Sequence, residues 1–351
     1  MKNVHVDMIC MSIAHVIRGL HASIMIRKTL FRSVPALAVS VAVLAVSASG
    51  CTTLKRNAIS RQFEDWFSVA VPEGTELTKI GDGFYSYRWL GYRTAFLATP
   101  DGVIVFDPLN RDAAAALAKE IERVAPNPRI AWVLYSHHHR DHASGASALP
   151  GSPRILAHTN AARDIREHGH EHEDVTPPTD TFDGAIHERD LLGIKLRFHH
   201  LVDAHTDGLV AIEVPSQRAL YLVDMAIPGQ VPPSAAVSSS FFGMKRAFAD
   251  LSHVDYDVLV PGHGPLGTKA DVAKTAQYLD DLETAMRASL HAHAMDDFHT
   301  KDTFVHAKKE LASVFFEVED QLRPKYESLG GFDQLILPTA QWCMFAILMG
   351  A

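Results

Sequence analysis

The chain reads as an α+β protein with a helical C-terminal region, and three observations lead there. Short apolar segments divided by Gly-Asp-Gly and Pro-Asp-Gly turns run from Leu77 to Phe106. An apolar helix-period segment and a further strand then lead into Ser136-His137-His138-His139-Arg140-Asp141-His142. Beyond about residue 268 the apolar residues recur every three to four positions, the period of amphipathic helices.

The elements follow in order. Thr52 to about Glu73 is a polar connector, and Leu77–Ile80, Phe84–Trp89, Thr94–Ala98 and Val103–Phe106 form a β-meander, their β-branched and aromatic residues bounded by turn residues. Ala113–Val124 is predicted helical and stops at Pro126 and Pro128, and the strand Ile130–Tyr135 completes a β-α-β step. The small residues Ala143-Ser144-Gly145-Ala146 predict a helix start facing the histidine stretch. Ile155–His158 is another strand, whose terminal His158 is predicted to cap the following helix. Glu167–Asp174, with three alternating histidines before Pro177-Pro178, is predicted as an exposed loop or lid. Strands follow at Ile194–Phe198, Leu209–Val214, Ala219–Val223 and Val258–Val260. Helices are expected over Val272–Leu290, Lys301–Glu319 and Phe332–Met349, with breaks at Pro324 and Gly330-Gly331. Cys343, inside the last apolar run, is expected as a buried thiol, and His291, His293, His299 and His306 as surface residues.

Four imidazoles and a carboxylate directly behind a buried strand are costly unless something binds them. If the chain leaves the strand extended, His137 and His139 point the same way and can reach one cation, while Asp141 and His142, past the turn, are offset toward a second position. Zinc takes neutral imidazole nitrogens and carboxylate oxygens, and iron or manganese can use the same set.

The pattern His137-x-His139-x-Asp141-His142 resembles the signature of the metallo-β-lactamase superfamily. Three further motifs extend the resemblance in the family's order: Ala204-His205-Thr206-Asp207-Gly208 before a strand, Asp224 ending another, and Pro261-Gly262-His263-Gly264 ending a third. The resemblance implies a four-layer αββα sandwich over about residues 75–268, with 269–351 as a C-terminal helical extension that caps the substrate mouth or pairs two copies as a homodimer. It implies a first metal on His137, His139 and His205, a second on Asp141, His142 and His263, and Asp224 bridging them. His199 and His200 compete with His205, which sits in the family's loop context. Asp107 resembles an acid that buttresses the metal loop, Asp203 is expected to partner an imidazole, and Asp207 to brace its own loop. His138 and Arg140 are left free by the pattern, with Arg140 open to an anionic substrate group or to an outward ion pair.

The implied activity is metal-dependent hydrolysis of a small carbonyl substrate, a lactone or ester first, with Asp141 both ligand and proton handler and two zinc ions activating the water. A β-lactamase-like amidase is an alternative, although the zinc β-lactamases generally lack an acid equivalent to Asp224 and tend to carry a cation that Met225–Gly229 does not offer. A mononuclear-iron redox enzyme and a non-catalytic binding lipoprotein are the readings from other classes.

A net charge of -8, with no Lys/Arg cluster outside the N-terminal segment, argues against nucleic acid as a partner. Residues 25–50 read as a signal peptide: a basic start, the apolar run Val34–Val46, then Ser47-Ala48-Ser49-Gly50 before Cys51. The run falls short of the about 20 apolar residues of a membrane span. Ala48-Ser49-Gly50-Cys51 resembles a lipoprotein box, so an exported, periplasmic protein attached to the membrane only by a lipid on Cys51 is expected, with 51–74 as linker and 1–24 as a misassigned start. The three cysteines, Cys10, Cys51 and Cys343, then form no intrachain disulfide.

Overall fold

A computed structural model describes residues 73–168, 174–232, 240–295 and 301–349. The leader, the signal-type segment, Cys51, His299 and the centre of the histidine loop at 169–173 lie outside the described residues. Two sheets face each other. The first runs in chain order: β1 (Thr75–Lys79), β2 (Phe84–Trp89), β3 (Tyr92–Thr99), β4 (Gly102–Phe106), β5 (Ile130–Leu134), β6 (Arg154–His158) and β7 (Asp180–Phe182). Its meander is antiparallel as far as β4, and β4 to β7 are parallel. The second sheet is ordered β12 (Val258–Pro261), β11 (Ala219–Leu222), β10 (Val210–Val214), β9 (Ile194–His200), β8 (Ile186–Leu191), with β11 and β12 parallel.

Alternation along the strands decides the layering. Leu97, Ile104, Phe106 and Leu134 of the first sheet meet Phe198, Val210, Ile212 and Tyr221 of the second in one buried cluster. The opposite face of the first sheet, Phe96, Val105, Val133 and Ile155, is covered by α1 (Arg111–Val124) and by α3 (Thr159–His168). The outer face of the second, Ala211, Leu220, Leu222 and Leu259, packs in one core with α4 (Phe241–Leu251), α5 (Lys269–Ala292), α6 (Lys301–Tyr326) and α7 (Phe332–Met349). The architecture is therefore α+β, a four-layer αββα sandwich with C-terminal helices. Those helices extend the outer layer, and the turn before α7 grips the loop after Asp224 through Val231 N–H to Gly330 O (3.0 Å) and Gly330 N–H to Gly229 O (2.9 Å).

Local chemistry explains the boundaries. Asn110 Oδ1 accepts from Ala113 N–H at 2.9 Å and starts α1, which stops before Pro126. Two expectations need correction. The helix predicted from Ala143 is instead a single turn, α2 (Arg140–Ala143), that ends there. Gly145, at φ +86°, lies against the Asn110 backbone so closely that a Cβ would come within 2.4 Å of it, so these small residues accommodate a crossing chain. Pro324 does not break α6, which continues to Tyr326 because Leu322 and Tyr326 are buried and the Tyr326 hydroxyl donates to Asp281 at 2.5 Å. α7 holds its predicted span, with Cys343 buried as expected. It is long and apolar enough to cross a membrane, and half of it is buried against the neighbouring helices.

Candidate metal centre

The chain stays extended past β5, through His139 at φ -61°, ψ 142°, which is also the N-cap of α2. His137 and His139 consequently converge, their ring centroids 4.6 Å apart, while His138 turns away to Asp164 on α3 at 3.4 Å. The turn of α2 then directs His142, and with it Asp141, to the neighbouring position.

Two donor groups result, each with ligand atoms within 4.8 Å of one another: His137, His139, His205 and Asp224; and Asp141, His142 and His263. In the first, His205 Nε2 lies 2.9 Å from His139 Nδ1 and 3.2 Å from Asp224 Oδ2, and His137 Nε2 lies 3.4 Å from the same oxygen. In the second, His142 Nε2 is 3.3 Å from His263 Nε2 and 3.6 Å from Asp141 Oδ2, and His263 Nε2 is 3.8 Å from Asp141 Oδ2. Asp224 joins the groups: Oδ2 is also 3.4 Å from His142 Nε2, and Oδ1 is 3.0 Å from His263 Nε2.

These donors fit divalent metal ions. Tetrahedral zinc with bonds of about 2.0–2.1 Å spaces its ligand atoms about 3.3–3.4 Å apart, which falls within the observed spread. His137 Nε2 is buried without a hydrogen-bond partner, an expensive condition that a bound cation removes. Burial pushes His137 well below the usual histidine range despite Asp224, and burial with His205 beside it takes His139 down to about 4. Both imidazoles are thus neutral. Burial alone would raise Asp224, but His142, His137 and His205 hold it well below the usual carboxylate range. Burial disfavours the charged form of His142 as well, yet Asp224, Asp141 and Asp107 outweigh it and raise the group to about 9.

A surrounding set of residues orients the donors. Ser136 Oγ sits 2.9 Å from His137 Nδ1, turning Nε2 into the site. Asp107 is fully buried and accepts from Ser136 N–H (2.8 Å) and from the Tyr221 hydroxyl (2.8 Å), with its Oδ2 3.6 Å from His142 Nδ1. It buttresses the loop as the resemblance implied, and burial raises it to about 6 against the pull of His142. Asp224 holds a left-handed backbone at φ +59°. Gly262 is needed beside it, since a Cβ there would meet Val223 Cγ1 at 2.5 Å and His142 Cε1 at 2.8 Å.

The competing histidines are engaged elsewhere. His199 Nε2 pairs with Glu213 at 2.8 Å, and His200 Nε2 donates to the Asp207 carbonyl at 2.7 Å. His158 accepts from Asn160 N–H at 3.2 Å and so supports the start of α3 as expected. Arg140 forms the outward ion pair, with Asp174 at 3.2 Å. Asp207 braces its loop by accepting from Arg163 at 2.7 Å, but Asp203 does not partner an imidazole: its carboxylate is exposed, 3.9 Å from Arg246. His293 bridges Glu310 and Glu317, and His306 donates to the His293 carbonyl.

Two contributors escape sequence reasoning. Arg93, buried in β3, holds the His263 loop by donating from Nε to Gly264 O at 2.8 Å and from its backbone N–H to Gly262 O at 2.8 Å. Helix α4 supports the His205 loop: Ser240 N–H donates to Ala204 O at 3.2 Å, and Gly243 lies against Asp203. Ser240 as N-cap, with Phe241, Met244, Phe248 and Leu251 at helical spacing, is the signal that would have found α4. Arg93 has none beyond a charge within a buried strand.

The metallo-beta-lactamase superfamily model matches residues 88–263, half of the chain, which spans every donor named above, and the chain belongs to that superfamily. Among characterised proteins it is similar to the 2,4-dinitroanisole O-demethylase subunit alpha of Nocardioides sp. (strain JS1661), 27% identical over 177 residues. That match covers 49% of this chain and 52% of the relative, so the chain spans about half the length of the curated relative it matches. Of solved structures, the metallo-beta-lactamase from Pontibacter korlensis superposes with a TM-score of 0.53 at 18% identity, over 59% of this chain and 99% of that one. The FIM-1 metallo-beta-lactamase from Pseudomonas aeruginosa, in its mono-zinc form, gives 0.52 at 18% identity over 60% and 98%. These two show a common fold.

Proposed function

We propose that the chain is a hydrolase of small carbonyl compounds, lactones or esters first, that works with two zinc ions. The observation that supports this reading is the sharing of Asp224 by two adjoining donor groups, Oδ2 facing His137, His142 and His205 and Oδ1 facing His263. His137, His139 and His205 would hold one ion and Asp141, His142 and His263 the other, with Asp224 available to both. Bound there, the ions supply Lewis-acid polarisation of the scissile carbonyl and activation of the attacking water.

The chain itself contributes position and proton handling. The neutral imidazoles of His137 and His139 need lose no proton before they serve as donors. Asp224, 10% exposed in its side chain, is kept ionised and fixed. Asp141, whose side chain is 43% exposed, is the acid open to substrate and solvent. Its Oδ1, the oxygen left out of the donor set, would take a proton from the attacking water and pass it to the leaving group. Export, with a lipid on Cys51, belongs to the same proposal and rests on the sequence of residues 25–51.

A second reading is favoured by the Nocardioides relative, whose name describes demethylation of an aryl methyl ether. The same site would then cleave an activated ether. A screen of purified protein loaded with zinc, manganese or iron against lactones, esters, thioesters, β-lactams and 2,4-dinitroanisole separates the readings. Turnover of a lactone or ester, lost in His139→Ala, supports the first. Turnover of the ether alone supports the second, and iron-dependent oxygen uptake contradicts hydrolysis.

A further inference from the structure

Helix α3 touches both loops that supply the first donor group, and its polar contacts form one continuous chain between them. On one side Asp164 Oδ2 lies 3.4 Å from His138 Nδ1, the residue between His137 and His139. Asp164 Oδ1 accepts from the neighbouring Arg163 at 2.9 Å. On the other side the same guanidinium nitrogen donates to Asp207 Oδ2 at 2.7 Å, two residues past His205. Asn160 Nδ2 donates to the Asp207 carbonyl at 3.2 Å. Gly208 is pressed against the helix so tightly that a Cβ would stand 2.3 Å from Ala161 N. His158, just before the helix, stacks on His200 with ring centroids 3.8 Å apart, and His200 also bonds the Asp207 carbonyl.

The His137–His142 and Ala204–Gly208 loops leave different sheets, joined at their bases by Val210 N–H to Ser136 O at 2.9 Å, and neither sheet's ladder reaches the histidines themselves. His139 Nδ1 and His205 Nε2 nevertheless stand 2.9 Å apart. Resting on the metal-site reading above, we infer that Arg163 and Asp164 are positioning residues: as a bracket from His138 to Asp207 they set the spacing of His139 and His205 and thereby the affinity of the first metal. Neither is itself one of the metal donors. Their ion pairs are part-exposed, and pairs of that kind contribute little to fold stability. Loss of the bracket is therefore expected to alter metal binding much more than unfolding.

The test is cobalt(II) titration of the full chain, followed by its visible d–d absorption and by competition with a chelator, alongside thermal unfolding of the metal-free protein. His139→Ala identifies the binding step that belongs to the first site. Arg163→Met and Asp164→Ala should weaken that step about 10- to 100-fold, the usual effect of removing an outer support, with the other step and the metal-free Tm near wild type. Asp164→Asn, which keeps an acceptor for His138, should restore most of the affinity. Wild-type affinity at both steps in Arg163→Met and Asp164→Ala overturns the bracket while leaving the metal centre standing. Equal weakening of both steps with a lowered metal-free Tm also overturns it, showing a merely structural role. Retention of both steps in His139→Ala overturns the metal-site reading and the bracket with it.

Discussion

Replacing Tyr221 with Phe removes one oxygen atom from the floor of the site and nothing else. That oxygen donates to Asp107 Oδ2 at 2.8 Å in a region closed to solvent, and Asp107 also faces His142 Nδ1. A hydrogen bond to a charged group is worth about 1.5–3 kcal/mol net, and here no water replaces the lost donor. Tyr221→Phe should therefore destabilise the metal-free protein by about 1.5–3 kcal/mol in urea unfolding with an unchanged m-value. It should also weaken the metal held by His142 about tenfold or more, since His142 loses part of its orienting partner. A loss below about 0.5 kcal/mol, within the range of surface substitutions, together with wild-type metal affinity, would refute the role given to Asp107 as the buttress of this loop.

Other expectations are as direct. Gly262→Ala forces a Cβ into Val223 and His142, so metal titration should show the His142 and His263 site weakened more than the His139 site; equal affinities would contradict that packing. Gly243→Ala places a Cβ 2.0 Å from the Asp203 carbonyl and should lower Tm while loosening the His205 loop, seen as faster amide exchange at residues 203–208. His158 is pushed down to about 4 by burial and by His200, below the unfolded value of about 6.5. Its stabilising contribution is present above about pH 6.5 and lost as pH falls toward 4. His158→Phe should flatten the fall of Tm across that window; an unchanged slope would assign the acid sensitivity elsewhere.

The histidine stretch was legible because strand geometry alone sends His137 and His139 one way and His138 the other, and the resemblance supplied His205, Asp224 and His263 at later strand ends. The residues beyond the pattern were legible only in part. Arg140 and His138 look free in sequence, yet each meets an aspartate that the fold brings from 26 or more residues away. Asp203 looked like a histidine partner by proximity in sequence, but its left-handed turn at φ +55° carries it to the surface. Strand β8, Ile-His-Glu-Arg-Asp-Leu, was missed because an edge strand buries little and its sequence is mostly polar. The small-residue run at Ala143 misled because small residues serve close chain crossings as well as helix starts. Pro324 misled because a proline near a helix end removes one bond that packing of Leu322 and Tyr326 outweighs.

Metal content of the purified protein tests the central claim most directly, measured as ions per chain in wild type and in Asp224→Ala. Two zinc equivalents in wild type, falling toward one in Asp224→Ala with the fold kept, is the predicted result. A stoichiometry near zero in wild type, or two ions held with undiminished affinity by Asp224→Ala, would contradict a metal centre built around that carboxylate.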